Sequence, residues 1–418
     1  MSKGLNFLDL FAGAGGLSEG FVRAGFRPIA HVEADASACF TLKTRQAFHW
    51  LNNNGFRHKY IEYLNNEISR EQLYQEVPKS EINSVINEII GEETLDSIFA
   101  RIDTLLGNQK LDLIIGGPPC QAYSLIGRAR GNMVNDARNH LYRYYAEFLK
   151  RYLPKYFVFE NVLGLLTASD PDGELYFDKM KKLFVEIGYS LEYKVLSANE
   201  YGVLQNRKRI ILVGKKGHRS KKSFYPEPEK WMPEVCVWDL LNDLPKIQAG
   251  GGTVAPQRPA EKHSEWLKKS GVYSDFPLTW HQARPHSKQD LEIYRYAVSL
   301  WNNEKRRLHY DDLPEYLKSH KGRNSFVDRF KVVAGDIGAS HTVVAHISKD
   351  GHHYIHPDIE QNRSLTPREA ARIQSFPDDY YFENVSGKPA RTSAFKQIGN
   401  AVPVLLAQKI AEQLLRNW

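Results

Sequence analysis

The sequence is poor in cysteine and carries no long apolar run, no internal repeat and no low-complexity tract. Three cysteines in 418 residues cannot form the disulfide framework of a small secreted protein, so a reducing compartment is expected. No stretch approaches the ~18 consecutive apolar residues that mark a spanning helix. The opening MSKGLNFLDLF lacks the apolar core and cleavage site of a secretory leader. A cytoplasmic protein with no membrane contact follows as the expectation. Acidic residues are outnumbered: the net charge is +7 and the pI about 9.0. That excess permits nucleic-acid binding without establishing it. A hydrophobic fraction of 42% and a charged fraction of 25% are ordinary for a soluble globular chain. The length suits two or three domains, or one large domain with an insertion.

Strand and helix signals alternate through the first third. Residues 6–10 read as a buried strand ending in a Gly-rich turn, 17–24 as a helix capped by Gly25, and 28–32 as a second strand running to Glu33. Residues 111–115, 156–159 and 209–213 read as further strands, and 179–187 as a helix stopped at Gly188. Such alternation predicts an α/β fold, a mostly parallel sheet with helices on both faces. Residues 50–110 are polar and helix-rich without evident chemistry, and 70–110 read as an insertion. Beyond Gly214 the sequence turns basic, then Pro-rich, then rich in aromatics, Gly and His. The expected division is 1–214, a smaller domain over 215–385, and a segment 386–418 returning to the first. Residues 396–417 read as helical after the turn IGNAVP.

Four local patterns carry chemistry. Asp9-Leu-Phe-Ala-Gly-Ala-Gly-Gly16 follows a strand, and closely spaced glycines let backbone approach a ligand at a helix N-terminus. Gly13 and Gly15 fit the dinucleotide fingerprint, but Ser18 stands at its third position, which weakens a nicotinamide reading. Glu33, about 20 residues on, ends the next strand, where an acid can bind ribose hydroxyls. Gly116-Gly-Pro-Pro-Cys-Gln-Ala-Tyr-Ser124 places Cys120 at a strand's carboxyl end, with two prolines stiffening the approach. Phe159-Glu-Asn-Val162 puts Glu160 at another strand end. In Gln205-Asn-Arg-Lys-Arg209, Arg207 and Arg209 alternate onto one face; alone, such a run reads as a solvated basic patch. Cys39 and Cys236 have no such framing and read as structural.

Together these blocks resemble the DNA cytosine-5 methyltransferase family, of the prokaryotic restriction–modification type. DLFAGAGG is similar to its first motif, GGPPCQAYS to its nucleophile loop, FENV to its glutamate motif and ANEYGVLQNRKR to its arginine motif. RSLTPREAARIQSFPDDYYF and QIGNAVP resemble its last two, and Asp136-Ala-Arg-Asn-His-Leu141 the short motif after the nucleophile loop; all stand in family order. Asn66-Glu-Ile-Ser69 is the best match to the acid-bearing segment expected after Glu33.

The resemblance implies a Rossmann-like S-adenosylmethionine-dependent sheet with a smaller target-recognition domain. It implies Cys120 as nucleophile and Glu160 at ring nitrogen 3, with Arg209 on the cytosine carbonyl and Arg207 supporting Glu160. Phe11, Gly13, Gly15, Glu33, Pro118, Asn400 and Val402 would line the methyl-donor site. Pro119, Gln121, Ser124 and Thr342 would face the DNA. The expected partners are double-stranded DNA and a separately acting restriction endonuclease, with the protein a monomer. His346, His352, His353 and His356 come without a cysteine, so no metal is expected. A transfer-RNA cytosine methyltransferase is the nearer alternative. The span between the arginine motif and the last two motifs, about 145 residues, favours duplex DNA over it. A silent DNA-binding module is a further rival, against which an intact Cys120 and Glu160 both speak.

Overall fold

Strand β1 (Asn6–Leu10) is apolar on both sides. Phe7 joins one core with Leu113, Tyr156 and Val158, while Leu8 and Leu10 join another with Ile114, Phe157 and Phe159. Successive strand residues point to opposite faces, so strands like these need cover on both, as parallel α/β sheets have. The computed structural model describes residues 4–119, 140–257, 263–318 and 327–418.

Six more strands complete the sheet: β2 (Arg27–Glu33), β3 (Val85–Asn87), β4 (Leu113–Gly116), β5 (Tyr156–Asn161), β6 (Tyr189–Ser197) and β7 (Lys208–Lys216). Their order is β3-β2-β1-β4-β5-β7-β6. The first five run parallel, and β7 runs antiparallel to both β5 and β6. The chain moves outward from β1 through β2 and β3, then returns to lay β4 on the other flank of β1. Such a reversal opens a crevice beyond the carboxyl ends of the strands beside it. Because β7 is antiparallel, its amino end arrives at the same edge, with Asn161 opposite Ile210.

Part of the expected insertion at 70–110 belongs to the sheet. Residues 85–87 form its edge strand β3, and helix Leu95–Leu106 buries Ile98, Ile102 and Leu106 in the core beneath it. A three-residue strand with an exposed Asn87 offers too little periodicity to register. Helix Gly16–Arg23 and helix Val404–Arg416 pack together on the opposite face, bringing Leu406, Ala407 and Ile410 against Leu17 and Phe21. Ile398, Gly399 and Asn400 are the last turn of helix Arg391–Asn400 rather than part of a turn; the break is at Ala401–Pro403.

A further core joins the segment after β7 to the C-terminal helices through Val237, Leu240, Trp280, Val343, Ile347, Phe376 and Phe395. No strands flank Lys349–Gly351. A short 3-10 turn, Ala345–Ser348, precedes it, and isolated bridges join Val332 to Ile355 and Ile355 to Ser364. Side chains hold the nearby backbone instead: the Tyr354 hydroxyl donates to Thr342 O and accepts from Val344 N, both at 3.1 Å.

Candidate active site

One cavity of about 920 Å³ occupies the crevice at the strand ends. Its walls gather Phe11, Gly13, Glu33, Pro118, Pro119, Glu160, Arg209, Asn400 and Val402, nine of the residues singled out from the sequence. On one side, the turn after β1 holds Phe11 at φ 56°, a left-handed conformation uncommon for a bulky residue and frequent at functional sites. The Glu33 carboxylate accepts from Gly13 N and Asp35 N, both at 2.7 Å. Burial pushes its pKa above the ordinary carboxylate range, against those two backbone donors. Beneath it, Asp9 is fully buried and its pKa is raised by that burial. Asp9 Oδ2 lies 3.4 Å from His31 Nδ1, while Oδ1 has no hydrogen-bond partner among the described residues.

The other side is built where β4 and β5 end. Gly117 passes so close to β5 that a Cβ there would meet Glu160 O at 2.1 Å, so only glycine fits. Asn161 Nδ2 donates to Pro118 O at 3.1 Å and its Oδ1 accepts from Val162 N at 2.9 Å, pinning the prolines to the sheet. Arg209 Nε stands 2.6 Å from Glu160 Oε1, with the two side chains 12% and 14% exposed. The pair therefore faces the cavity while largely shielded from bulk water. Cys120, Gln121 and Ser124 lie outside the described residues, as do residues 136–139 of the short motif.

A family model described as C-5 cytosine-specific DNA methylase matches residues 5–68 and 81–416. The chain belongs to that family, and it is a DNA cytosine-5-methyltransferase. The type II methyltransferase M.Bpa9945I of Bacillus paralicheniformis is 40% identical, with 97% of each chain covered. The type II methyltransferase M.DdeI of Desulfomicrobium norvegicum is 32% identical over 99% of this chain and 89% of its own. A solved structure described as a prophage-encoded DNA modification methyltransferase of E. coli shares the fold. Its TM-score is 0.64 at 24% identity, with 99% of both chains covered. The family and the named relatives make DNA the substrate class.

Within this cytosine-5 methylase, some expected site residues stand elsewhere. Gly15 does not line the cavity. It caps helix Gly16–Arg23 at φ 83°, and a Cβ there would meet Tyr380 Oη at 2.7 Å. Arg207, expected to brace Glu160, donates instead to Val343 O at 2.5 Å and Gly399 O at 3.2 Å; the residue paired with Glu160 is Arg209. The reason lies in the backbone. Arg207 precedes β7, where Asn206 N bonds Ser340 O at 2.8 Å, and this turns it toward the segment around Val343. Thr342 is half-buried, its hydroxyl donating to Asn206 O at 2.5 Å.

Other wall residues were not foreseen. No residue of 66–69 lines the cavity; Glu88, Ile89 and Ile90, just past β3, do. Asp35 caps helix Ala36–Asn53 through Ser37 N and Ala38 N and binds Lys396 Nζ at 2.8 Å across the mouth. Burial works against the Asp35 carboxylate, but Lys396 and the backbone donors more than offset it, leaving its pKa low. An Asp just before a helical run is a legible cap signal; its partner, 361 residues away, is not. Cys39 is buried with its thiol toward Glu33 O, and burial pushes its pKa up to about 12, so it is unreactive. Among the described residues, no helix is long and apolar enough to cross a membrane.

Proposed function

We propose that this chain methylates carbon 5 of a flipped-out cytosine within one specific duplex sequence. We infer that it protects host DNA in a type II restriction–modification system, acting as a monomer beside a separate endonuclease. The observation that carries the reading is the Glu160–Arg209 pair, set in the same cavity as the Gly13–Glu33 loop and beside the prolines that lead to Cys120.

S-adenosylmethionine fits the first wall on physical grounds. Glu33 keeps lone pairs for ribose hydroxyls, since each of its oxygens accepts a single backbone bond. The buried, unpartnered Asp9 Oδ1 suits a cationic ligand. Phe11, Gly13, Pro118, Asn400 and Val402 complete that wall. Bound there, the donor supplies an electrophilic methyl on a sulfonium.

The remaining chemistry belongs to the protein. Cytosine carbon 5 is a poor nucleophile until a thiolate adds at carbon 6, which splits one hard step into easier ones. The Cys120 thiolate forms that bond, and the ring electrons move to carbon 5. Glu160 donates a proton or hydrogen bond to ring nitrogen 3, while Arg209 holds Glu160 and reaches the carbonyl oxygen. After carbon 5 gains its methyl, a base removes its proton and the Cys120–carbon 6 bond breaks, restoring the ring. A stacked duplex hides these atoms, so the base is extruded at a cost of a few kcal/mol. Pro119, Gln121, Ser124 and Thr342 meet the DNA around it.

The test is bisulfite sequencing of DNA from bacteria that lack their own cytosine methylation and express this chain, with Cys120→Ala as control. Protection confined to one short sequence and absent from the variant is expected. Protection equal in Cys120→Ala would remove the nucleophile assignment.

A further inference from the structure

Two buried glutamines link the segment around Val343 to the cavity wall. Gln205 and Gln374 are both fully buried. Gln205 Oε1 accepts from Val343 N at 3.0 Å, and its Nε2 donates to Gln374 Oε1 at 2.9 Å and Ile373 O at 3.1 Å. Gln374 Nε2 then donates to Ile398 O at 2.8 Å and Ala401 O at 3.2 Å. Val343 stands between the half-buried Thr342 and the exposed Val344. Ala401 stands between Asn400 and Val402, and all three line the cavity.

The pattern is fully satisfied and has one orientation. Each amide nitrogen uses both its donors, and each amide oxygen accepts. Flipping Gln205 would turn its nitrogen onto the Val343 N–H, and flipping Gln374 would set its oxygen against two carbonyls. Either leaves buried polar groups unpaired, the costly case in a low-dielectric interior. There is also no slack beside it. A Cβ on Gly399 would meet Ala345 N and Val344 C, both at 2.4 Å, so helix Arg391–Asn400 and the segment around Val343 touch backbone to backbone. A shift of Val343 is therefore transmitted to the Asn400–Val402 turn rather than absorbed.

We propose that Gln205 and Gln374 are positioning residues, an amide relay through which duplex bound at Thr342–Val344 tightens the methyl-donor wall at Asn400–Val402. This rests on the donor and DNA sites proposed above. Coupling between two sites commonly amounts to roughly 5- to 150-fold in affinity.

The experiment measures S-adenosylhomocysteine affinity by calorimetry, with and without saturating duplex that carries the sequence the wild-type enzyme methylates. Wild type, Gln205→Met and Gln374→Met are compared. Methionine keeps the length and apolar bulk but cannot donate to the carbonyls. The wild type is expected to bind S-adenosylhomocysteine roughly tenfold more tightly on duplex. Both variants should keep their affinity for each ligand alone while that ratio falls toward one.

Gln374→Glu guards against loss of folding in the methionine variants. Its carboxylate still accepts from Gln205 but repels the Ile398 and Ala401 carbonyls. The ratio should be lost at neutral pH and return in acid, where the carboxyl regains a donor. A ratio retained in the variants overturns the relay alone, as does a wild-type ratio of one. A wild type that binds neither ligand overturns the site assignment beneath it as well.

Discussion

Arg209 reaches Glu160 across two antiparallel strands, Nε to Oε1 at 2.6 Å, and no other residue of the arginine motif is paired with that carboxylate among the described residues. Both groups sit on the cavity wall, so the pair is poised to meet a base together. Glu160→Gln removes the proposed proton donor, and Arg209→Ala removes its ion-pair partner. Each should lower kcat by about 10²- to 10⁴-fold, the range for loss of a positioned acid. Affinity for S-adenosylhomocysteine should be unchanged. Single-turnover transfer of a labelled methyl to duplex DNA measures the first and calorimetry the second. A variant that loses donor binding instead would place the pair on the wrong wall.

Glu33 gives the complementary case. It fastens the Gly13 loop through one oxygen and Asp35 N through the other. Hydrogen bonds to a charged group are worth about 1.5–3 kcal/mol each, so Glu33→Ala should weaken donor binding by roughly ten- to a hundredfold. With the donor saturating, kcat should recover to near wild type. A kcat deficit that persists at saturation would show that the loop orients the methyl as well as binding the donor.

Arg207 is a structural clamp in this arrangement. It is 1% exposed and ties Val343 O and Gly399 O together. Arg207→Met strands both carbonyls, so urea denaturation should show a loss of about 2–4 kcal/mol. A stability near wild type, combined with a collapse in kcat matching that of Arg209→Ala, would return Arg207 to the chemistry.

His356 makes acid sensitivity specific. Its Nδ1 accepts from Asp358 N at 3.1 Å, which leaves the proton on Nε2, 3.5 Å from the Glu369 carboxylate. Burial and the Arg363 guanidinium hold its pKa at about 3, below the ordinary 6.5, although Glu369 opposes them. Because the folded pKa is the lower one, this contribution is fully present above pH 6.5. It is lost as pH falls from there toward 3, at up to about 1.4 kcal/mol per pH unit for one proton. Melting between pH 6.5 and 4 should fall more steeply in wild type than in His356→Asn; equal slopes would mean that another group takes up the proton.

The parts legible in sequence share a physical signature. Strands β1, β2, β4, β5 and β7 are buried on both faces or end in distinctive turns, so their apolar runs and glycines stand out. Strand β3 escaped because it has three residues and an exposed edge, and Glu88 escaped with it. Strand β6 escaped because only Tyr189 and Leu196 of its nine residues are buried, which leaves a thin apolar pattern. Glu160 and Arg209 were each visible, but their pairing depends on β7 running antiparallel to β5, which local pattern does not encode. Arg207 and Arg209 read alike in sequence. Only the backbone bond from Asn206 to Ser340 separates their fates. Nor could spacing join Asp35 to Lys396, since chain folding alone makes them neighbours.

The reversed direction of β7 also sets where the enzyme can change. Arg209 stands at the start of that strand, on the reacting edge, and the chain then runs away from it to Lys216. At about 3.4 Å per residue, the strand carries the chain roughly 24 Å from Arg209 before the long segment after Lys216 begins. That segment departs from one pole of the sheet and is reattached at the other, where Gln205 and Arg207 grip Val343. Its middle can lengthen, shorten or be exchanged between relatives without moving any strand that carries the chemistry. A graft there needs only to deliver a backbone N–H and a carbonyl to those two side chains.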